Sequence, residues 1–505
     1  MRQVRFKSAR LGFESLVAVL LLFGWGEKSL AATDPIGFVR GALARGERQI
    51  VVPRGLYRVR PDGTDPKVYF RLAGLSDVTV DFSGSDLIGL VRTRFFDLSG
   101  CTNVTIRNVS LDFDELPFTQ AVIERVDAER GWDVRVIDGY PCPGVVKGRL
   151  GIDNHDDFWP IQAYDAKTLE LKNPMRYRGD VSIVRTGERT YRIAGGLDRR
   201  GDVGDIAVWS VLEDRLPTLS ENVNAFRCKD LVLENVTQYA TPHGRAFIDW
   251  ESANTTYRRC RVVRRPPETD PVKRGLKRLR SGNHDAFISK NAYVGPKLIG
   301  CEAEYHCDDC VNISGAYQVV YSCQGDEVRV FVHGTWGLQL DVGDSCQVLT
   351  PGGQTPPNVR ILAVHPGSSV TAEESRYLVS IGLWPGIAQD MRRSYVLKLD
   401  RAADFPRGTL LASEGRMGNG FLIRDCRFGS TRARGLLLKA SEGRVENCRV
   451  MKPVCLTTEY EWLSSGIARN VIFRGNVFES GLKRGGTAAK GIRLSDDVNT
   501  GILVE

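Results

Sequence analysis

HDAFISKNAYVGPKLIGCEAEYHCDDCVNISG, residues 284–315, holds one repeat of the unit from which much of the chain is built. The runs HDAFISK (284–290) and DDCVNIS (308–314) share one pattern, and a second kind of run, PKLIGCEAEY (296–305), lies between them. Short β-branched and apolar runs bounded by Gly, Asn and Ser are typical of strands. A motif that returns at a fixed interval is typical of a repeat architecture, in which each unit stacks on the next.

Similar runs lie on both sides of this stretch and return at intervals of 22 to 28 residues. Registered on a repeated Asn or Cys step, the intervals are Val80 to Ile106 (26), Asn235 to Cys260 (25), Cys426 to Cys448 (22) and Cys448 to Asn476 (28). One coil of a parallel β-helix takes about that many residues, whereas Greek-key wiring would not repeat one motif in register. The sequence predicts an all-β fold, a right-handed parallel β-helix.

Two stretches with longer alternating strands interrupt the repeat and predict two inserted antiparallel β-barrel-like lobes. They could wall a substrate groove or be ordinary decoration. The predicted organisation is a signal peptide (1–31), the N-terminal part of the β-helix (32–117), an inserted lobe (118–200), central coils with the active site (201–324), a second lobe (325–412) and C-terminal coils (413–505).

The first 31 residues have the layout of a secretory signal peptide. A basic N-terminal region precedes an apolar run from Leu16 to Trp25. The run is followed by Ser29-Leu30-Ala31, which has the small-x-small pattern of a cleavage site. The apolar run is short for a membrane span, and an uncleaved anchor is the alternative. We expect a secreted or periplasmic bacterial protein with no membrane span in the mature chain.

The net charge is +8, and removing a signal with five basic and two acidic residues leaves about +5. So mild a charge does not indicate nucleic-acid binding. The segment 264–282 is locally basic and is predicted to be a loop before the Asp285 strand. It is either solvated or overhangs the groove, in which case it would favour an anionic glycan.

Twelve cysteines in an exported protein would suggest disulfides. Six of them share one local context beside a short strand, which favours a ladder of small buried thiols: Cys101, Cys228, Cys260, Cys301, Cys426 and Cys448. Cys307-x-x-Cys310 could be half of a redox or metal site, but no matching half accompanies it. We predict no metal and no cofactor.

Three aspartates are the candidate catalytic residues. Aligning HDAFIS with DDCVNIS places Asp285 on Asp309, one coil apart, with Asp308 beside them. Glycoside cleavage needs an acid to protonate the leaving oxygen and a carboxylate to activate water or attack the sugar. Stacked carboxylates cannot all ionise easily, so at least one should have a raised pKa and keep its proton near neutrality.

The alternative is that these residues cap turns or form a structural ladder. Adjacent residues of an ideal strand face opposite sides, so Asp308 and Asp309 can both reach a groove only if the chain bends there. Without a bend, Asp309 is the groove member.

DAFISK (285–290) and GPKLIGCEAEYHCDDCVNISG (295–315) resemble the α-1,3-galactosidase family of β-helix glycoside hydrolases (family 110) and, more distantly, polygalacturonases. The resemblance extends over most of the mature chain, including the two inserts. It implies that Asp285, Asp308 and Asp309 are the catalytic set and that cleavage inverts the anomeric carbon. Ile288 departs from the pattern, because a polar residue is expected there, and the polygalacturonase signatures are not evident. The first departure leaves the sugar open, and the second argues against galacturonan.

Further residues on or beside the same row are predicted to bind substrate, although polar residues at strand ends are mostly solvated and a tryptophan can equally fill a core. The predicted substrate-binding residues are Trp462, Glu461, Lys290, Asn312, Arg245, Lys439 and His306. His306 and His243 are more typical of turns or of a groove rim.

The residues predict an exported glycoside hydrolase that acts on an oligo- or polysaccharide. The resemblance implies an α-galactosidic bond and an inverting mechanism, and the residues leave open whether the glycan is acidic. One alternative is a polysaccharide lyase or uronate epimerase on the same scaffold, which would use a Lys or Arg base or bound Ca²⁺. Another is a non-catalytic β-helix that binds glycans at a cell surface.

Overall fold

A computed structural model gives the fold and describes residues 34–63, 65–127, 131–142, 161–172, 182–194, 201–211, 221–242, 244–272, 275–383, 385–480, 488–489, 492–494 and 500–505. The predicted signal peptide (1–31) and His243 lie outside the described residues. No helix in the described part of the chain has both the length and the apolar character needed to cross a bilayer.

The body of the chain consists of two large sheets of mainly parallel strands. Along the chain, strands of one sheet alternate with strands of the other. The sixteen-stranded sheet, here the long sheet, consists of Gln49–Val51, Leu56–Val59, Thr79–Gly89, Thr105–Phe113, Val232–Gln238, Thr256–Arg258, Arg261–Val262, Lys297–Ile299, Glu302–Ala303, Leu422–Arg424, Arg427–Phe428, Arg444–Glu446, Arg449–Val450, Ile472–Arg474, Val477–Phe478 and Leu503–Val504.

The eleven-stranded sheet carries the candidate site and is here called the cleft sheet. It consists of Val68–Ala73, Arg94–Ser99, Val223–Phe226, Phe247–Trp250, Phe287–Lys290, Val311–Ala316, Leu436–Leu438, Val454–Leu456, Ser464–Ser465, Ala488–Ala489 and Ile492–Leu494. The helices are Pro35–Ala44, Ala372–Ser380 and Pro385–Asp390, with a 3-10 turn at Pro267–Thr269.

Equivalent residues of successive coils pair in parallel register. Phe247 pairs with Phe287, Phe287 with Val311, and Val311 with Leu436. Stacked aromatic rings of Phe247 and Phe287, with centroids 5.0 Å apart, continue this register into the core. The predicted all-β, parallel stack of coils is confirmed, and its right-handedness stays a prediction.

The repeated Asn or Cys step has a physical explanation in the backbone. Asn235, Arg259, Asp425 and Asn447 all have φ near +50 to +56°, a left-handed conformation that short polar residues tolerate best. The residue that follows points into the core. The register of Thr237 with Arg261 pairs Asn235 with Arg259, so the predicted 25-residue interval to Cys260 is wrong by one residue.

The predicted ladder of buried thiols is confirmed, because all six cysteines are buried and all twelve in the chain are free. Four of them occupy one row of the long sheet: Cys260, Cys301, Cys426 and Cys448. The backbone N–H of Cys301 donates to Cys426 Sγ at 3.3 Å. A small thiol therefore fills the same inward position in four coils.

The first insert forms a six-stranded antiparallel sheet, which is open rather than closed in its described strands. These strands are Phe118–Asp127, Gly131–Val136, Gln162–Tyr164, Ser182–Arg185, Thr190–Ala194 and Ile206–Ser210. The predicted barrel shape is therefore not seen in the described part of this lobe.

The second insert is a closed antiparallel barrel, as predicted. Its strands are Gln318–Gln324, Glu327–Val332, Ser345–Leu349, Val359–Pro366, Arg393–Leu399 and Leu410–Ser413. The helices Ala372–Ser380 and Pro385–Asp390 belong to the same insert. The predicted domain boundaries themselves stay predictions.

For three described arginines of the basic segment 264–282, Arg265, Arg278 and Arg280, neither predicted interpretation holds, because all three are buried. Arg278 is buried and donates to both oxygens of Asp112, at 2.7 and 2.9 Å, and to Asp270 at 2.7 Å. Arg280 is fully buried and donates to Gln162 Oε1 at 3.0 Å in the first insert. Since buried charges must be paired, these arginines join the insert to the coils.

Candidate active site

A cleft lies on the outer face of the cleft sheet and encloses about 1220 Å³ of empty space, including its open mouth. Its floor is formed by the strands Phe247–Trp250, Phe287–Lys290, Val311–Ala316 and Leu436–Leu438. The barrel insert contributes Trp336 and the helix residue Ile387 to its wall. The second insert therefore reaches the cleft.

Eight of the ten predicted site residues line this cleft: Asp285, Asp308, Asp309, Arg245, Lys290, Asn312, Lys439 and Trp462. Two do not. Glu461 is exposed in a turn, and its neighbour Glu459 lines the cleft instead. His306 is fully buried beneath the floor, where its ring contacts Cys310 Sγ at 3.3 Å.

One row of the floor alternates in charge. Backbone ladder bonds from Ala246 to Asp285, from Ala286 to Asp309 and from Cys310 to Arg434 place equivalent residues side by side in successive coils. The row reads Arg245, Asp285, Asp309, Arg434. Neighbouring strands lie about 4.8 Å apart, so two carboxylates stand next to each other with a guanidinium at each end.

Two further rows complete the floor, because side chains of alternate residues face the cleft. The middle row is mostly apolar and reads Ile248, Ile288, Asn312, Leu437. The outer row reads Trp250, Lys290, Ser314, Lys439 and contains no carboxylate. Ile288, which departs from the family pattern, lies in the apolar row.

Asp308 and Asp309 both reach the cleft because the chain bends before the strand Val311–Ala316 begins. Cys307 and Cys310, on either side of the pair, are fully buried. Arg432 then holds Asp308, with 3.2 Å between Nη2 and Oδ1. The bend that the sequence left open is therefore present.

Among the described residues, hydrogen bonds reach only one oxygen of Asp309. Its Oδ1 accepts from the backbone N–H of Arg434 at 3.0 Å and from Arg434 Nε at 2.9 Å. Arg434 Nη1 also donates to Glu459 Oε2 at 3.0 Å, which divides its charge between two carboxylates. Burial, with smaller contributions from Asp308 and Asp285, raises the pKa of Asp309 to about 7 despite Arg434. The carboxyl that keeps its proton is thus Asp309.

Asp285 has the opposite environment, although it is also buried. Burial alone would raise its pKa, but the hydrogen bond and charge of His284, together with Arg245, lower the pKa below its usual value. For His284, burial favours the neutral ring and would lower the pKa. The charge and hydrogen bond of Asp285 outweigh burial and raise the pKa of His284 above its usual value. His284 Nδ1 contacts Asp285 Oδ2 and lies 3.9 Å from Asp308 Oδ2. Asp285 therefore stays ionised.

Arg245 is supported from the preceding coil. Glu221 accepts from Arg245 Nη1 at 3.0 Å through Oε1 and from Arg94 Nη2 at 2.7 Å through Oε2. Both arginines lie in the same register as Asp285. The alternation of charge thus extends for two coils beyond the cleft.

Sequence reasoning missed His284, Arg432, Trp250 and Trp336. His284 had a signal, since it directly precedes Asp285 in the repeat. No pattern in the sequence indicated Trp336, because it belongs to the barrel insert. Its ring contacts that of Trp250 only in the folded chain, with ring centroids 5.5 Å apart. His333 stacks on Trp336 at 4.1 Å and fixes its plane.

His284, Asp285 and Asp308 could also hold a metal ion. Each offers one ligand atom, and the three atoms lie within 4.8 Å of one another. Two of these groups already bind each other, and Asp308 is paired with Arg432. A cation would have to compete with these partners, so the arrangement fits an acid–base site at least as well.

The chain is 24% identical over 453 residues to the Alpha-1,3-galactosidase B of Bacteroides thetaiotaomicron, an alignment that covers 85% of this chain and 68% of that protein. The resemblance predicted from the sequence is confirmed by this similarity. No protein-family model matches the chain.

Among solved structures, the Gp54 tailspike of Acinetobacter baumannii bacteriophage AP22, in complex with A. baumannii capsular saccharide, covers 94% of this chain and 68% of its own. The identity is 10% and the TM-score is 0.15. At that score the two backbones do not superimpose, and the match has no bearing on fold or activity.

Proposed function

We propose that the chain is a glycoside hydrolase that cleaves an α-galactosidic bond, with Asp309 as general acid and Asp285 with Asp308 as the base. One observation carries the proposal: the three carboxylates line one cleft, and their surroundings separate the pKa of Asp309 from that of Asp285 in opposite directions. Such separation allows identical side chains to serve as acid and base. The similarity to an α-1,3-galactosidase supports the sugar and the anomer.

The acid step follows from the contacts of Asp309. Because both bonds from Arg434 go to Oδ1, the proton resides on Oδ2 and can pass to the glycosidic oxygen as the C–O bond breaks. The resulting carboxylate is stabilised at once by the guanidinium of Arg434. The leaving sugar departs as a neutral alcohol.

The base step uses the pair Asp285 and Asp308. Their candidate ligand atoms lie within 4.8 Å of each other, a span that one water can bridge with two hydrogen bonds of about 2.7 Å. The bridged water loses a proton to the pair as its oxygen attacks the anomeric carbon. Attack from the side opposite the leaving oxygen inverts the configuration.

The test is a screen of aryl and alkyl α- and β-galactosides with Asp285→Asn and Asp308→Asn. We expect activity on α-galactosides and a loss of about 10²- to 10⁴-fold in kcat for each variant. Asp326→Asn, in a partly exposed turn of the barrel, is the matched control and should keep full activity. Proton NMR of the first product should show the β-anomer, and α-galactose appearing first would refute the direct displacement.

β-Elimination is the second candidate, because Lys290 is a buried amine in the same cleft whose pKa burial lowers well below the ordinary value. A neutral amine is the kind of base that a lyase uses. An unsaturated product would absorb in the ultraviolet, and an uronate-containing polysaccharide that yields such absorbance would favour this function over hydrolysis.

We also propose that the protein is exported, as the segment 1–31 predicts. The sequence of the mature N-terminus, read from protein expressed with its leader, tests this. Cleavage after Ala31 is the expected result, and an intact leader would favour the anchored alternative.

A further inference from the structure

Lys290 is a buried amine that, when protonated, has no carboxylate partner in the part of the chain that the structure describes. Its side chain lines the cleft and is 5% exposed. The ammonium donates to Ser464 Oγ at 3.1 Å and lies 5.1 Å from the ring centroid of Trp336. A hydroxyl and an aromatic face leave the charge uncompensated.

Holding a charge in this position is costly, since a buried ammonium without a counter-ion loses its hydration and gains little in return. Burial, together with Lys439 and Arg245, lowers the pKa of Lys290 well below its usual value. A methionine would fill the same volume beside Trp336 at less cost. A purely structural role therefore does not explain the lysine.

The outer row in which Lys290 lies supplies donors rather than acidic groups. Lys439 lies in the same row and contacts the backbone oxygens of Glu459 and Ser464, the latter at 3.0 Å. Ser314 stands between the two lysines in the outer row. Two ammonium groups and two hydroxyls thus face one part of the cleft, beside the Trp250 and Trp336 rings.

We propose that this end of the cleft is a subsite for an anionic substituent, a carboxylate or a sulfate ester, on a sugar adjoining the scissile bond. The proposal rests on the proposed glycoside hydrolase function and adds a substrate class to it. Lysine and hydroxyl donors bind such oxygens through charge-assisted hydrogen bonds, and the tryptophans supply the apolar faces on which a sugar ring stacks.

The position of the subsite follows from the floor of the cleft. Lys290 lies five residues beyond Asp285 on the same coil, so their Cα atoms are at most about 17 Å apart. The apolar row with Ile288 separates the two rows. The anionic group is therefore on a ring next to the catalytic aspartates or on the far side of the cleaved ring, and not at the anomeric centre.

Binding of three sugars tests the proposal without requiring turnover. D-galactose, D-galacturonate and D-galactose 6-sulfate are titrated into the full chain while tryptophan fluorescence is recorded. We expect at least one of the two anionic sugars to bind at least about tenfold more tightly than galactose, as a charge-assisted hydrogen bond allows. The two anions distinguish a carboxylate subsite from a sulfate subsite.

Lys290→Met should abolish the preference, while Lys290→Arg should retain it. If Lys290→Met does not fold, Lys439→Met provides the same comparison and should weaken the preference. Lys398→Met, at an exposed position of the barrel, is the matched control and should behave as the wild type.

Any one of three outcomes would overturn the proposed subsite. They are equal affinity for the three sugars, failure of both anionic sugars to bind, and a preference that persists in both methionine variants. The aspartate variants separate this result from the proposed hydrolysis. Asp285→Asn should lose activity and keep the anion preference. Inactivity of the wild type on every galactoside would refute hydrolysis alone, since the binding comparison would still stand.

Discussion

Asp309→Asn should remove the general acid while leaving its surroundings in place. Asparagine keeps Oδ1, which accepts both bonds from Arg434, but it has no proton to give to the leaving oxygen. For an alkyl galactoside, whose leaving group needs that proton, kcat/KM should fall about 10²- to 10⁴-fold. For a nitrophenyl galactoside, whose leaving group departs as a stable anion, the loss should be much smaller.

The magnitude of the pH effect follows from the surroundings of Asp309. Burial raises its pKa from 3.8 to about 7 in the folded chain. Below pH 4 the carboxyl is protonated in both states. As the pH rises from 4 to 7 the unfolded chain releases the proton and the folded chain keeps it, so stability is lost until the folded pKa is passed. Relative to Asp309→Asn, the wild type should lose about 4 kcal/mol of unfolding free energy.

Two measurements check this reasoning. Urea unfolding of wild type and variant at pH 4.5 and pH 8 should show the wild type losing stability relative to the variant at the higher pH. The kcat/KM of the wild type on the alkyl galactoside should fall about tenfold per pH unit above pH 7, because the acid form disappears. A difference in stability that is the same at both pH values, or an equal loss of activity on both leaving groups, would refute the assignment of Asp309.

Four further predictions follow from other contacts. His284→Asn should lower kcat up to about a hundredfold, because Asp285 loses the partner that orients it; steady-state kinetics with an unchanged kcat would count against this. Arg278→Met should lower the unfolding free energy by about 3–5 kcal/mol in urea unfolding, because Asp112 and Asp270 lose a buried partner. Affinity electrophoresis should show unaltered binding to acidic polysaccharides. Weaker binding would instead support the interpretation of this segment as a cationic rim of the groove. The denatured chain should titrate with twelve thiols before reduction as well as after, because all twelve cysteines are free; a lower count before reduction would reveal disulfides. Dialysis against a chelator should leave activity unchanged, because the three candidate ligand atoms already have partners; recovery of lost activity with a divalent cation would show a metal site.

The carboxylate register could be predicted because a solenoid converts sequence interval into contact. Residues one coil apart lie side by side, so the spacing between HDAFIS and DDCVNIS was enough to pair Asp285 with Asp309. The same relation identified the buried thiols, since Cys426 and Cys448 are one coil apart. The 25-residue interval to Cys260 failed because Asn235 is the left-handed residue of its step, whereas Cys260 is the residue after the left-handed Arg259.

Contacts made by the inserts could not be predicted in this way. Trp336 and Ile387 reach the cleft from a barrel whose internal repeat bears no relation to the coils. Arg278 and Arg280 look like solvated charges in the sequence, and only the folded lobe supplies the buried acceptors Asp112 and Gln162. Glu461 was chosen over Glu459 because both lie in one irregular segment, where the direction of a side chain has no period.

The stacked parallel strands, the two interruptions and the adjacency of Asp285 and Asp309 could all be predicted from periodicity along the chain. Which carboxyl keeps its proton depends instead on contacts that exist only in the folded chain. Asp285 and Asp309 are the same residue type in the same register, and their pKa values diverge because His284 and Arg245 stabilise the charge of one while burial outweighs Arg434 at the other. Ionisation depends on the local dielectric and on charges in three dimensions, and neither is written in the spacing of residues.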